Sequence, residues 1–542
     1  MSESDHCEVC IVGTGAGGGI LAHQLAQAGF RVVSLEQGRM LEPDHFARID
    51  PPGAKLDFGI RDNSVWPSEP HDSLFVHPLF AREDTRSSTT STQFQQYQIL
   101  AVNGLQNLWN GVSVRFATSD FDGWPIGYDD LAPHYTAVEK LITVCGTEEG
   151  LDALPDGAYV PPKPLRLADQ LIVKAVDGLG EPDARAIPNR KAIETRPGLA
   201  TSCISCGICT SGCPVGSVYK FSARLLPEIA RLPNYELRSN AKVVRLLRAP
   251  GATNVDGVEY IDTVTGERRR LRADRVVLAA GAIESPRILF NSADEADPAG
   301  LGNRSGHVGM WLQDNPKSVL STSLWRLWGK RPSPDIGYGD LLILMARGKL
   351  PDGAEFPFIG HAIHGTPEVP HYLGGMSFIP PFAKPTVARM MFSSYVTLGL
   401  FSAGEALPGN RIRPAAATDR YGVPQVSVDF AASPRAHATM DAMDAWGRRV
   451  LRAASSTLVH ATRDASGTGI HYAGTTRISA NPIEGVVDAG LRCHGFENLH
   501  VCDGSVIPQL PDKHLTLTIM ALAHRLAGQL LAARNMPAEA TA

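Results

Sequence analysis

The chain has 542 residues, of which 43% are hydrophobic and 20% charged, and it contains 52 glycines and 39 prolines. This composition is typical of a globular protein with a substantial core and many turns, and it excludes a disordered or fibrous chain. The formal net charge of -5 is too small to direct the protein to nucleic acid or to an anionic membrane.

The N-terminal segment lacks the basic and apolar regions of a secretory signal, and no uninterrupted apolar run is long enough to span a membrane. We therefore expect a cytoplasmic protein without membrane insertion. Export together with a partner subunit that carries its own signal is left open.

A dinucleotide-binding pattern stands at the beginning of the chain. An apolar, strand-like run leads into Gly13, Gly15 and Gly18, which form a G-x-G-x-x-G motif before a helical stretch and a second strand that ends at Glu36. Gly13 allows the tight turn, Gly15 lets the backbone approach a pyrophosphate, and Gly18 allows helix and strand to pack closely. Glu36 would accept hydrogen bonds from an adenosine ribose and would repel the ribose phosphate of NADP. The motif alone leaves NAD and FAD open.

A run of cysteines lies near the middle of the sequence. Cys203, Cys206, Cys209 and Cys213 have the spacing C-x2-C-x2-C-x3-C, and Pro214 follows. This spacing is the bacterial ferredoxin pattern, so the run could supply three ligands to a 3Fe–4S cluster or four to a 4Fe–4S cluster. Zinc and a cysteine-rich loop without metal are the two alternatives.

Seven motifs resemble those of one enzyme family, and they occur in the family's order. They are Val102–Gly111, Asp122–Tyr135, Leu278–Ser292, Gly300–Pro316, His471–Arg477, Val486–Arg492 and Asn498–Thr518. Together they resemble the glucose–methanol–choline (GMC) oxidoreductases over nearly the whole chain. The cysteine run is similar to that of a subgroup of FAD-dependent sugar dehydrogenases within this family that carry an iron–sulfur cluster.

The resemblance implies an α/β fold of the two-domain GMC type. A Rossmann-like domain would bind FAD, and a discontinuous substrate-binding domain would be built on a mainly antiparallel sheet. We expect the FAD-binding domain at 1–45, 95–122, 195–315 and 475–542. The substrate-binding domain would consist of 46–94, 123–194 and 316–474.

The resemblance also assigns the FAD contacts. Asp503 and Gly504 would lie by the pyrophosphate and ribityl chain, and the backbone near Val243 by the adenine. Four residues would face the isoalloxazine: Asn107, Trp109, Asn110 and Gly111. Plain core packing is the alternative for Trp109.

One position of this segment bears on how the flavin is held. Some relatives link FAD covalently through a histidine one residue before the tryptophan, and here that position is Leu108. Since leucine cannot form the link, we expect dissociable FAD.

Two histidines match the catalytic positions of the family. Alcohol oxidation requires a group that takes the hydroxyl proton, and imidazole titrates near neutral pH. His471, in H-Y-A-G-T, is the expected general base, and His514, in D-K-H-L-T-L-T, the partner that orients the hydroxyl. The reverse assignment stays open.

The resemblance thus predicts FAD-dependent oxidation of an alcohol on a sugar, glycoside, cyclitol or aminosugar, with hydride passing to flavin N5. A cluster would give electrons an exit to an acceptor protein such as a cytochrome, which favours a dehydrogenase over an oxidase. A small partner subunit is a further possibility. The alternatives are an oxygen-using oxidase of a non-sugar alcohol and an electron-transfer flavoprotein. For Trp311, Trp325 and Trp328, core packing and a sugar-stacking platform are both considered.

Overall fold

The computed structural model describes residues 5–41, 81–82, 84–90, 94–205, 209, 213, 215–330, 341–363 and 378–535. Cys206 of the cysteine run lies outside them.

The strands and helices are numbered in chain order. The strands are β1 (His6–Val12), β2 (Val32–Leu35), β3 (Ser88–Thr90), β4 (Val144–Cys145), β5 (Ala184–Pro188), β6 (Lys191–Ala192), β7 (Tyr235–Arg238), β8 (Ala241–Leu247), β9 (Gly257–Asp262), β10 (Arg268–Leu278), β11 (Lys317–Ser323), β12 (Leu341–Lys349), β13 (Glu355–Ile363), β14 (Tyr395–Ser402), β15 (Arg411–Thr418), β16 (Pro424–Asp429), β17 (His460–Asp464) and β18 (Leu499–Val501). The helices are α1 (Ala16–Gln27), α2 (Tyr128–Ile142), α3 (Leu167–Gly178), α4 (Phe221–Arg224), α5 (Leu226–Ile229), α6 (Glu284–Phe290), α7 (Lys384–Met391), α8 (Pro434–Ala453) and α9 (Thr516–Asn535).

The first sheet is mostly parallel and has the order β7-β2-β1-β10-β9-β8, with β18 beside β10. β1 is parallel to β2 and β10, and β7 and β18 extend the parallel part on either side. β1 is an almost continuous apolar run because helices and neighbouring strands bury both of its faces. The order β1–α1–β2 with parallel strands confirms the Rossmann-like unit predicted from the glycine motif.

The second sheet is antiparallel throughout, in the order β17-β11-β14-β13-β12-β5. One face packs on α8, where Met440, Met443 and Trp446 join a core with Leu398 and Leu400 of β14. This sheet confirms the predicted mainly antiparallel one, and with it the two-domain α/β fold class. The domain boundaries given above remain predictions.

The long apolar helix α9 closes the first domain by packing against α1 and α2. Among the helices of the described part of the chain, none combines the length and apolar character that a membrane crossing needs.

The turn between β1 and α1 depends on two glycines. Gly13 has φ +98°, in the region that favours glycine. Gly18 lies in the first turn of α1, where a Cβ atom would stand 2.0 Å from the Gly13 carbonyl oxygen. The carbonyl belongs to the backbone and cannot rotate away, so the helix can approach β1 this closely only with glycine at position 18.

We expect Gly18→Ala to lower the free energy of unfolding by about 1–3 kcal/mol or more, because the added methyl group overpacks a rigid contact. The matched control is Gly528→Ala in α9, where a Cβ meets nothing within 4 Å. This control should be neutral or stabilising by up to about 1 kcal/mol through helix propensity. Chemical denaturation of both variants measures the difference, and equal stabilities would contradict the packing argument.

Candidate active site

A cavity of about 530 Å³ lies between the two sheets. Its floor is formed by loops at the carboxyl ends of parallel strands, including Gly13–Gly15 after β1, Glu36 after β2 and Ala279–Glu284 after β10. Its roof is formed by the antiparallel sheet through Lys317, His361 and Phe401. Ligands of open α/β sheets bind outside the carboxyl ends of the strands, so the cavity has the expected position for a dinucleotide.

The two ends of the glycine motif meet different surroundings. In front of Gly15 the space is open, since an added Cβ would find its nearest neighbour, the Asn103 carbonyl oxygen, at 3.9 Å. At Gly18, in contrast, the Gly13 carbonyl occupies the space that a side chain would need, and Gly18 does not line the cavity. These surroundings suit a pyrophosphate at Gly15 and helix–strand packing at Gly18.

Glu36 is buried at the edge of the cavity. One carboxylate oxygen accepts hydrogen bonds from the backbone N–H and hydroxyl of Thr14, at 3.1 and 2.7 Å, and the other from the Gly38 N–H at 3.0 Å. Burial raises the pKa of Glu36, and these hydrogen bonds oppose that shift. The acid thus ties the glycine turn to the end of β2 and retains acceptor capacity toward the cavity.

Val243 and Gly504 line the cavity, whereas Asp503 lies behind its wall. The Asp503 carboxylate accepts hydrogen bonds from Gly281 N–H at 2.9 Å and from the Ser285 hydroxyl at 2.5 Å, and from the backbone N–H and hydroxyl of Ser505. The Asp503 carboxylate thus joins the loop after β10 to the turn after β18. Its direct partners are protein groups.

Of the four residues in the expected flavin segment, which would face the isoalloxazine, two line the cavity. These are Trp109 and Asn110, whereas Asn107 and Gly111 do not line it. The Asn107 amide donates to the carbonyls of Val102 and Gly104 and holds the turn together. The Trp109 indole donates to the Val112 carbonyl at 3.1 Å and also packs on the core.

A buried lysine braces this segment from behind. The Lys220 ammonium donates to the carbonyls of Gln106 and Trp109, the latter at 2.7 Å, and lies over the Trp109 ring. Burial lowers the pKa of Lys220 to about 7, and the nearby thiols of Cys213 and Cys209 act against that shift. Lys220 therefore holds the segment through two backbone carbonyls, and the thiols affect its charge.

At the other end of the cavity the structure brings His471 and His514 together. Their ring centroids are 4.8 Å apart, and the rings are nearly perpendicular. A third histidine, His361 of β13, lies 5.5 Å from the His514 ring, and Phe401 contacts all three rings. The three imidazoles and Lys317 form the polar end of the cavity.

The dipeptide before β11 holds His471 in two ways. The Asp314 carboxylate accepts hydrogen bonds from the backbone N–H groups of Gly469 and His471, both at 2.8 Å. The Asn315 side-chain oxygen lies 2.8 Å from His471 Nδ1. Both the main chain and the ring of His471 are thereby fixed.

Burial keeps these imidazoles neutral. It lowers the pKa of His471 well below its usual range, and His514, Lys317 and His361 lower it further. The pKa of His514 falls to about 4 through burial and the charge of Lys317. Burial raises the pKa of Asp314 to about 7, against the hydrogen bonds that it receives.

The described cysteines of the run lie in one small cluster. Cys209 is buried, Cys203 and Cys213 are partly buried, and Cys145 of β4 joins them. Burial raises the pKa of the Cys213 thiol, whose sulfur accepts a hydrogen bond from the Ser217 N–H at 3.2 Å. Within the described ranges, no group of three or more His, Cys, Asp or Glu residues is arranged to hold a metal ion. The iron–sulfur cluster stays a prediction.

Several residues of the site are not predicted from the sequence. Asp314 and Asn315 lie inside the motif Gly300–Pro316, whose resemblance to the family is a signal that could identify them. His361, Lys317 and Lys220 stand in no motif, so only the fold reveals them.

The tryptophans of the proposed sugar platform lie elsewhere. Trp325 and Trp328 are 53% and 46% exposed, and neither lines the cavity. Trp311 is partly buried and packs against the Arg477 guanidinium. The platform prediction is wrong, and so is core packing for Trp325 and Trp328, because both follow the end of β11 that faces away from the cavity.

Two family models match the chain, both described as GMC oxidoreductase, over residues 191–317 and 408–523. The matched ranges contain Asn315 and His471 together with His514. The chain belongs to the GMC oxidoreductase family. The predicted class of enzyme, an FAD-dependent oxidoreductase acting on CH–OH groups, is confirmed at this level.

Individual GMC relatives align over almost the full chain. Paromamine 6'-oxidase from Streptomyces fradiae is 27% identical, with 96% of this chain and 90% of the relative covered. 2-Methyl-1,2-propanediol dehydrogenase from Mycolicibacterium austroafricanum is also 27% identical, with 98% and 96% covered. The crystal structure of pyridoxine 4-oxidase from Mesorbium loti has a TM-score of 0.64 at 19% identity, with 96% and 99% covered, and shows the shared fold.

The cavity of this GMC protein fits FAD by its own chemistry. It runs continuously from Glu36 and Val243 to the histidines, which suits an adenine at one end and a reacting ring at the other. Buried polar atoms of Gln96, Gln106 and Arg287 along its wall have no hydrogen-bond partner among the described residues. Such groups are suited to the polar atoms of a cofactor.

Proposed function

We propose that this protein oxidises an alcohol group on a sugar-like polyhydroxy compound, with His471 as the general base. FAD held by the Gly13–Gly15 turn and Glu36 would supply the hydride acceptor. The side chains at the other end of the cavity bind the alcohol, remove its proton and exclude water.

The observation that carries this proposal is the hydrogen bonding of Asn315. Its amide nitrogen donates to the carbonyls of Ser402 and Pro511, at 2.7 and 2.8 Å. The side-chain oxygen must then be the atom that faces His471 Nδ1, and an amide oxygen can only accept. His471 therefore carries its proton on Nδ1, and Nε2 has a free lone pair for the substrate hydroxyl proton.

Electrostatics favour the same role. Because burial and neighbouring positive charge hold the pKa of His471 below its usual range, Nε2 is unprotonated at neutral pH and ready to accept. His514, whose ring lies 4.8 Å away, would hold the hydroxyl in position. The Nδ1 atom of His514 has no partner among the described residues, in contrast to that of His471.

The substrate class rests on the relatives and on the cavity. Paromamine 6'-oxidase and the dehydrogenase of 2-methyl-1,2-propanediol both act on hydroxylated compounds. The reacting end of the cavity combines polar imidazoles with the apolar face of Phe401, a mixture that suits a sugar ring or a polyol.

For the electron acceptor we favour a dehydrogenase, with a cytochrome-like protein or an artificial dye as acceptor. The support is the cysteine spacing, together with Lys220, which bonds to the flavin segment and whose pKa the thiols of Cys209 and Cys213 affect. An oxidase is the alternative, and peroxide formation distinguishes the two.

Replacing His471 by Gln should lower kcat by about 10²–10⁴-fold, because glutamine removes the proton acceptor. Replacing His514 by Gln, which can still hydrogen-bond to the hydroxyl, should cost less. The measurement is anaerobic reduction of the bound flavin by a panel of sugars and polyols. Equal flavin content in the two variants shows that the cavity is intact. A larger loss of kcat in His514→Gln would make His514 the general base and His471 its partner.

The Asn315 hydrogen bond predicts a pH effect. For the wild-type enzyme, kcat/KM should persist as the pH falls through 6.5, because the pKa of His471 is lowered. Asn315→Asp places a carboxylate at Nδ1, favours the imidazolium and should move the acid limb upward by about 1–3 pH units. Asn315→Leu should lower kcat without that upward shift.

The matched control for Asn315 is Gln313→Leu. Gln313 braces the same segment, by donating to the Pro508 carbonyl and accepting from Leu510 N–H, and does not contact His471. It should lower stability and leave the acid limb in place. An unshifted limb in Asn315→Asp would show that Asn315 is structural and does not position the base.

Anaerobic purification followed by acid precipitation tests the cofactor predictions. We expect flavin in the supernatant, since Leu108 cannot form a covalent link, and about three to four irons per chain with matching sulfide. Cys203→Ser should lower the iron content per chain and leave the flavin content unchanged. Iron-free protein with full flavin would contradict the cluster, and zinc in its place would identify the alternative metal.

A further inference from the structure

Half of the large apolar side chains that are exposed in the described part of the chain lie in three segments of the substrate-binding domain. We name them together the aromatic surface. They are Trp325, Trp328, Phe378, Phe382, Met390 and Leu458. Phe378, Phe382 and Leu458 are 79%, 79% and 83% exposed. These values far exceed what a residue of a core or cavity wall shows.

Hydrogen bonds connect the three segments to one another. The turn at Trp325–Leu327 donates from Trp325 N–H to the Ser455 carbonyl, and Gly329 N–H donates to the Met390 carbonyl at 3.0 Å. The Leu458 carbonyl accepts from the Thr322 hydroxyl at 2.9 Å. Phe382 lies in the turn that leads directly into α7, whose last residues reach Gly329.

The surface is separate from the cavity, since none of its six side chains lines the cavity wall. β11 passes through Val319, which lines the cavity, and ends at Ser323, which lies two residues before Trp325. A strand rises about 3.3 Å per residue, so roughly 13 Å separate Val319 from the end of the strand.

The charge of these segments is one-sided. Residues 317–330, 378–402 and 454–463 contain no Asp or Glu, although the whole chain has 56 acidic and 51 basic residues. Arg326 and Lys330 are exposed beside the tryptophans, and the Arg326 guanidinium lies 5.5 Å from the Trp325 ring centroid. The positive charge of this surface is that of Arg326 and Lys330, since Arg463 of the third segment pairs with Asp441 and Asp444 of α8.

We propose that the aromatic surface binds reversibly to an anionic lipid bilayer. Tryptophan and phenylalanine flanked by cations are the side chains that enter the interfacial region of a membrane, the rings among the headgroups and the cations against lipid phosphates. A second copy facing the same surface would bring Arg326 and Lys330 against their own equivalents, which like-charge repulsion opposes.

The strength of binding follows from two weak contributions. A few apolar side chains and a few cations each add a small amount, so adsorption requires both and weakens with salt. It needs no membrane-spanning helix.

The test is co-sedimentation of the full-length holoenzyme with vesicles of phosphatidylcholine alone or mixed with phosphatidylglycerol. We expect binding to the anionic vesicles at low salt, loss of binding at high salt, and a blue shift of tryptophan emission. Trp325→Gln with Phe382→Gln should lower the vesicle partition coefficient by about tenfold or more, and so should Arg326→Glu with Lys330→Glu. Trp328 is left unchanged because its indole bonds to Ser323.

The matched control is Val264→Gln with Ile483→Gln, two side chains that are 76% and 72% exposed elsewhere. It should bind vesicles like the wild type, and all variants should oxidise soluble alcohols equally. Absence of binding to anionic vesicles, or equal binding by Trp325→Gln/Phe382→Gln and the control, would overturn the proposal. A change from dimer to monomer in these variants without vesicle binding would assign the surface to a second copy.

Discussion

The hydrogen bonds of Asp314 and Asn315 are the interactions on which the histidine end of the cavity depends. Four segments meet at this dipeptide: the start of β11, the end of β14 at Ser402, the loop at Pro511 and the strand-free segment at 469–471. Without these bonds, the two loops that carry His471 and His514 would no longer be held in position relative to each other by Asn315. Because both residues are buried, each bond acts in a medium where its loss leaves a polar group unsatisfied. Geometry and protonation are therefore set by the same few contacts.

Burial has opposite consequences at the two ends of the cavity. At the dinucleotide end, Glu36 is buried among backbone donors, which suits an acceptor for hydroxyl groups. At the histidine end, burial lowers the pKa values of His471 and His514, which suits the base that we propose. Lys317 strengthens this effect, since a positive charge near the rings disfavours a second one. A general base that is neutral and fixed in one tautomer requires no reorganisation before it accepts a proton.

The antiparallel sheet contributes to both the cavity wall and the aromatic surface. The strand that begins at Lys317 in the cavity ends beside the exposed tryptophans. Core residues of the same sheet pack on α8. One strand thus joins the wall of the cavity to the exposed tryptophans.

Local patterns in the sequence determined much of this protein. The glycine motif with its strand, helix and acid is read from neighbouring residues, and its geometry is local, so β1, α1 and β2 were predicted correctly, while ribose binding by Glu36 stays a prediction. The order of motifs identified the family and the two histidines, whose proximity the structure shows. Only the tertiary structure decided what depends on contacts between distant segments. The tautomer of His471 depends on Ser402 and Pro511, far away in the chain. His361 and Lys317 reach the cavity because the sheet register places β13 and β11 beside β14. Trp325 and Trp328 are exposed because their turn follows the outer end of β11, and nothing in their local sequence distinguishes an outer end from an inner one.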